Sequence, residues 1–128
     1  MYRAYGLLQP GSDFDLEQAK ARLTAKFPGY SVTRNGDQIT ISKGDWEMEM
    51  ALVTGPHVRT ESEWLVGELA GLEPAEAETL TSSDRRVEMW SDTPDPFMEH
   101  FNDYLLGIEV LKSFRGVIAV DPKEPSLL

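Results

Sequence analysis

The apolar positions along this chain change period several times, and each change marks an element. Tyr2 to Leu8 reads as a first strand, closed by the turn formers Pro10 and Gly11. Beyond it Leu16, Ala19, Leu23 and Phe27 recur at spacings of three and four, with Glu17, Lys20, Arg22 and Lys26 between them. That is the single buried stripe of an amphipathic helix, with Asp13 as its N-cap and Pro28-Gly29 as its end. Asn35-Gly36 predicts a two-residue type I′ hairpin, because both central positions of that turn need positive φ. Counting outward sets Arg34 opposite Asp37, Val32 opposite Ile39 and Tyr30 opposite Ile41, with the apolar residues on one face. After a second turn at Gly44-Asp45, Trp46, Met48, Met50 and Leu52 alternate with Glu47 and Glu49, the period of a half-buried strand. These runs form a three-stranded antiparallel meander.

Gly55-Pro56 breaks the pattern, and Thr60-Glu61-Ser62-Glu63 has the form of a capping box. The helix that follows buries Leu65, Val66 and Leu69, and Gly71-Leu72 suits a Schellman ending. Residues 73–84 read as a linker or short frayed helix, and Arg86 to Trp90 as a strand. Asp95 and Pro96 open the strongest helical pattern, whose stripe is Phe97, Phe101, Tyr104, Leu105, Ile108 and Leu111. Gly116 stops it, Val117 to Val120 suits a central strand, and the tail from Pro122 is extended or loose. The order β-α-β-β-β-α-β-α-β predicts an α+β fold in two layers. Its sheet is mostly antiparallel, with about six strands, and three helices lie on one face. A mixed sheet is the alternative, since a crossover through a helix can set two strands parallel. No repeat or linker divides residues 1–128, so one domain is expected.

Composition narrows the function classes. With 41% hydrophobic and 27% charged residues, the chain has the profile of a protein that folds unaided. It has no cysteine, which excludes disulfides, thiolate metal ligands and a cysteine nucleophile. No apolar run has the length of a signal peptide or of a bilayer span, so a cytoplasmic location is expected. The net charge of −10 is unevenly placed: residues 1–60 hold seven acids and seven bases, whereas residues 61–109 hold thirteen acids against only Arg85 and Arg86. Such a field repels phosphate backbones and anionic lipid, which disfavours direct binding to nucleic acid or membrane.

Candidate chemistry is sparse, and no catalytic residue, metal site or cofactor is assigned. His100, Glu99 and Asp103 have metal-ligand types at helical spacing, but a further ligand would have to come from Asp92, Asp95 or His57, and a solvated acidic helix face is the commoner meaning of such residues. His57 follows a Gly-Pro turn and reads as a loop residue. Ser82-Ser83-Asp84 lacks the glycines of a nucleophile elbow, and Gly67 and Gly71 do not form a phosphate loop. The last helix carries a second apolar set, Leu106, Val110 and Phe114, on the arc that also holds Glu99 and Asp103; residues 72–84 either cover that arc or leave it for a partner. Trp64 and Trp90 lie in the acidic stretch, and tryptophan is a favoured interface anchor.

The expected partner-binding residues are therefore Trp64, Glu68, Glu88, Trp90, Asp92, Glu99, Asp103, Leu106 and Val110. The function expected from them is that of an acidic protein-binding module. It would occupy the basic surface of another protein, a toxin or nuclease for example, as an inhibitor, immunity factor or antitoxin does. One alternative is a small enzyme or ligand-binding domain with a pocket between sheet and helices near Trp46, Asp92, Asp95 and His100. Another is a structural homodimer formed through Leu106, Val110 and Phe114.

Overall fold

A computed structural model describes residues 2–128. Seven strands and four helices follow one another as β1 (Tyr2–Leu8), α1 (Leu16–Lys26), β2 (Ser31–Asn35), β3 (Gln38–Lys43), β4 (Trp46–Thr54), α2 (Pro56–Glu68), α3 (Pro74–Thr81), β5 (Arg85–Ser91), α4 (Phe101–Lys112), β6 (Val117–Asp121) and β7 (Ser126–Leu127). The strands form one sheet in the order β2-β3-β4-β5-β1-β6-β7, and every pairing is antiparallel, so the mixed alternative does not arise. The two elements beyond the expected count are α3, built from the segment read as a linker, and β7, which pairs the proline-rich tail with β6.

Helices cover both faces of the sheet, which corrects the two-layer expectation. Side chains alternate between faces along a strand. Ala4, Leu8, Val87, Met89, Met48, Met50, Ile39, Ile41 and Ala119 point to one side, where they pack with Leu16, Ala19 and Leu23 of α1 and with Tyr104, Ile108 and Leu111 of α4. Leu7 and Val120, with Tyr5 and Ile118 beside them, point to the other, against Leu65 and Val66 of α2 and Leu80 of α3. The second layer is short: α2 and α3 cover the end of the sheet where Leu7, Tyr5 and Val120 lie, and stop there. Among the described residues no helix is long and apolar enough to cross a membrane.

Several boundaries moved for identifiable reasons. The first hairpin turns at Gly36-Asp37, with Asn35 opposite Gln38, Arg34 opposite Ile39 and Val32 opposite Ile41. Gly36 holds φ at 63° while Asn35 stays out of the left-handed region, so glycine takes the first central position, as in a type II′ turn. Gly44-Asp45 repeats the arrangement with φ at 58°. The N-cap of α1 is Asp15, whose carboxylate accepts the Gln18 N–H at 3.0 Å; Asp13 accepts the Arg115 N–H instead. Helix α2 begins at Pro56, a residue suited to a first turn. Thr60 thus lies inside it and donates to the Pro56 carbonyl, His57 is helical, and the capping box belongs to Glu73 and Glu76 of α3. Leu69 ends α2 in extended backbone, so no Schellman motif forms at Gly71.

Helix α4 starts five residues later than Pro96 suggests, and its buried arc differs from the stripe read in the sequence. Tyr104, Gly107, Ile108, Val110, Leu111 and Phe114 face inward, whereas Leu105 is exposed and Phe97, outside the helix, is 83% exposed. At 100° per residue the buried arc is turned by about 70° from the expected one. Helix α1 crosses that side and seals Val110, which is 1% exposed, while the Phe14 and Phe114 rings meet at 4.9 Å. The cover on the second apolar set is thus α1 and not residues 72–84.

Candidate functional site

The end of the sheet beyond α2 and α3 carries a face that no helix covers among the described residues. On it the register aligns Thr40 of β3, Glu49 of β4, Trp90 of β5 and Arg3 of β1 in one row, and Ser42 with Glu47 in the next. Toward the helix-covered end the rows become Gln38, Ala51, Glu88 and Tyr5, then Val53, Arg86 and Leu7. One face therefore grades from apolar and covered to acidic and open. Trp90 and Glu49 are half-buried on it and Glu47 is exposed.

The carboxylates on this face differ sharply in what compensates them. Glu88 is bound to Arg86 at 3.0 Å and lies 3.7 Å from Arg3. Arg86 is buried, stacks over the Tyr5 ring at 4.2 Å and also binds Glu61. Burial alone would lower its pKa; the hydrogen bonds to Glu61 and Glu88 and the charge of Glu88 outweigh that and hold it above its ordinary value. Glu49 has no such partner among the described residues. Its own desolvation, the charges of Glu47 and Asp92 and a hydrogen bond to Glu47 push its pKa from 4.5 to about 7. Glu47, Glu49 and Asp92 are thus gathered near a half-buried indole, and none of the three holds an ion-pair partner among the described residues.

Around the sheet end from Glu47 and Asp92 lies a cleft of about 320 Å³ lined by Lys43, Asp45, Trp46, Thr93, Asp95, Phe97, Glu99 and His100, with Pro94 and Pro96. The Trp46 and His100 rings stack in parallel at 4.4 Å. Asp103 accepts from His100 Nδ1 at 2.9 Å and from the Tyr30 hydroxyl at 2.8 Å, which fixes the imidazole and leaves Nε2 unpaired among the described residues. Burial, followed by the bond to Asp103, raises the Tyr30 phenol to about 12. Asp95 organises the loop before α4: its carboxylate takes the Tyr2 hydroxyl at 2.6 Å and the N–H groups of Glu99 and His100 at 3.0 and 2.9 Å. Desolvation opposes its charge, but these donors keep it below the ordinary carboxylate range. The Lys43 ammonium lies 5.1 Å from the Tyr30 ring. Among the described residues no three His, Asp or Glu side chains converge as metal ligands.

The expected contact residues fall in four places. Trp90 and Asp92 belong to the open face, Glu88 to its covered margin, and Glu99 to the cleft. Asp103 is spent on Tyr30 and His100. Trp64 is 60% exposed, but on α2, beside Tyr5, Glu61, Arg86 and Pro122, and Glu68 is at the end of the same helix. Leu106 is half-buried and Val110 buried, so Leu106, Val110 and Phe114 present no continuous outer surface. The acidic stretch is also less of a surface than its composition implies, since Glu61, Glu73, Glu76, Asp95, Asp103 and Glu109 hold partners in the fold. Asp45, Glu47 and Glu49 come instead from the charge-balanced first half. Their one sequence signal was the outward phase of Trp46-Glu47-Met48-Glu49-Met50. Comparisons with protein-family models, with curated proteins and with solved structures return no match.

Proposed function

We propose that this chain is a binding module whose open sheet face docks a basic protein partner. The observation that carries the reading is the grouping of Glu47, Glu49 and Asp92, uncompensated, beside Trp90 on sheet surface that α2 and α3 leave uncovered. Gathering like charges costs stability in the free protein, and lysine or arginine side chains from a partner would relieve it. Trp90 supplies an apolar, low-entropy contact at the middle of the patch, where interface energy concentrates. A module of this kind can occupy the anion-binding site of a basic enzyme, which is the action of an inhibitor, immunity protein or antitoxin.

The alternative of an enzyme or ligand-binding domain draws on the cleft at Trp46, Asp95 and His100. Its imidazole is oriented by Asp103, and Lys43, Asp45 and Glu99 share the lining, while the Thr93 hydroxyl faces the Glu47 carbonyl at 3.4 Å. The deciding experiment is affinity capture from source lysate with the wild-type chain and a Glu47→Lys/Glu49→Lys variant, at low and high salt. The module predicts a basic protein held at low salt, released at high salt and absent from the variant. Equal capture by both chains, or none by either, contradicts it.

A further inference from the structure

The cleft at the sheet end adjoins the proposed docking face and differs from it in kind. Two of its carboxylates, Asp45 and Glu99, are exposed and have no ion-pair partner among the described residues. His100 is held parallel to Trp46, which is 2% exposed, and the exposed Phe97 ring also lines the cleft. The neutral His100 imidazole, with Nδ1 donating to Asp103, leaves Nε2 as a hydrogen-bond acceptor. Lys43, the one lysine or arginine in the lining, lies near the Tyr30 ring.

Asp45 and Thr93 of the cleft lining directly adjoin Glu47 and Asp92 in the chain, Asp45 through Trp46, so the cleft sits at the edge where the open face ends. We infer that the cleft receives the guanidinium of an arginine side chain from the basic partner. This rests on the docking reading above and adds a chemical preference to it. An ammonium group satisfies unpaired carboxylates equally well, but it has no plane to lay against His100 or Phe97. A guanidinium stacks on such rings, is more weakly hydrated, and directs several N–H donors at once toward Asp45, Glu99 and Nε2. At about 320 Å³ the cleft has room for one such side chain.

The test uses two basic peptides of equal length and charge, oligo-arginine and oligo-lysine, titrated into the isotope-labelled full chain. Both should bind in a salt-sensitive way and shift the amides of residues 47–51 and 88–92. The arginine peptide alone should also shift residues 93–100 and the Trp46 indole, and bind about tenfold tighter. Asp45→Asn/Glu99→Gln, at exposed positions the fold does not depend on, should erase the arginine preference and leave oligo-lysine binding unchanged. Equal affinity of the two peptides, or an arginine preference that survives the double variant, overturns the arginine cleft while leaving the docking face intact. Binding of neither peptide overturns both.

Discussion

Glu49→Gln removes the charge that burial and acidic neighbours disfavour on the open face. In the folded chain the Glu49 carboxyl titrates near 7 instead of 4.5, because burial and the neighbouring Glu47 and Asp92 disfavour its charge. The fold therefore retains a proton that the unfolded chain has released, and stability falls as pH rises from about 4.5 through about 7. At 1.36 kcal/mol per pKa unit the ceiling on this loss is about 3.4 kcal/mol. Glu49 is half-buried, so solvent and salt screening reduce that to about 1–1.5 kcal/mol. Glutamine offers an amide N–H toward Glu47 in place of the protonated carboxyl O–H and removes the charge. Urea unfolding at about pH 8 should thus show the variant more stable than wild type by about 1–1.5 kcal/mol, with the gain vanishing near pH 4 and shrinking in high salt. A gain of the same size at both pH values, or none at about pH 8, would refute the idea that burial and these neighbours disfavour the Glu49 charge.

The remaining predictions concern the frame that holds the face. Arg86→Met leaves Glu88 half-buried with only Arg3 nearby, and denaturant unfolding should register a loss of about 2–3 kcal/mol. Val110→Glu would place a charge beneath α1, and the same assay should show a loss of at least about 3 kcal/mol, whereas an unchanged midpoint would mean α1 does not pack there. Met98 holds a φ of 54°, which costs a side-chain-bearing residue about 1 kcal/mol, so Met98→Gly should raise the thermal midpoint by a few degrees.

The strands were legible because their alternation is local. Trp46, Met48 and Met50 against Glu47 and Glu49 define two faces without reference to anything distant, and the pattern sets which side of β4 carries acid. What the alternation omits is coverage. Whether the acidic side meets a helix or water depends on how far α2 and α3 reach along the sheet, and that follows from Leu65, Val66 and Leu80 packing on Leu7 and Val120, contacts between residues far apart in sequence. The hairpin register was off because Asn35-Gly36 carries a stronger turn signal than Gly36-Asp37; the recurrence of Gly-Asp in both hairpins was the better guide. Counting charge along the chain misled for a related reason. Seven of the acids between Glu61 and Glu109 are engaged with Arg86, Lys26, His100, Tyr2, Tyr30 or backbone N–H groups, so composition overstated the charge free to meet a partner. For α4, an apolar residue on nearly every arc left its orientation undetermined until α1 was in place.

The docking face itself is tested most directly by amide and indole shift mapping of the labelled chain with oligo-lysine at low salt. The account predicts that shifts concentrate on residues 47–51, on residues 88–92 and on the Trp90 indole, and that they disappear at high salt or in Glu47→Lys/Glu49→Lys. Shifts centred on Trp64 and α2, or spread evenly over the molecule, would contradict it.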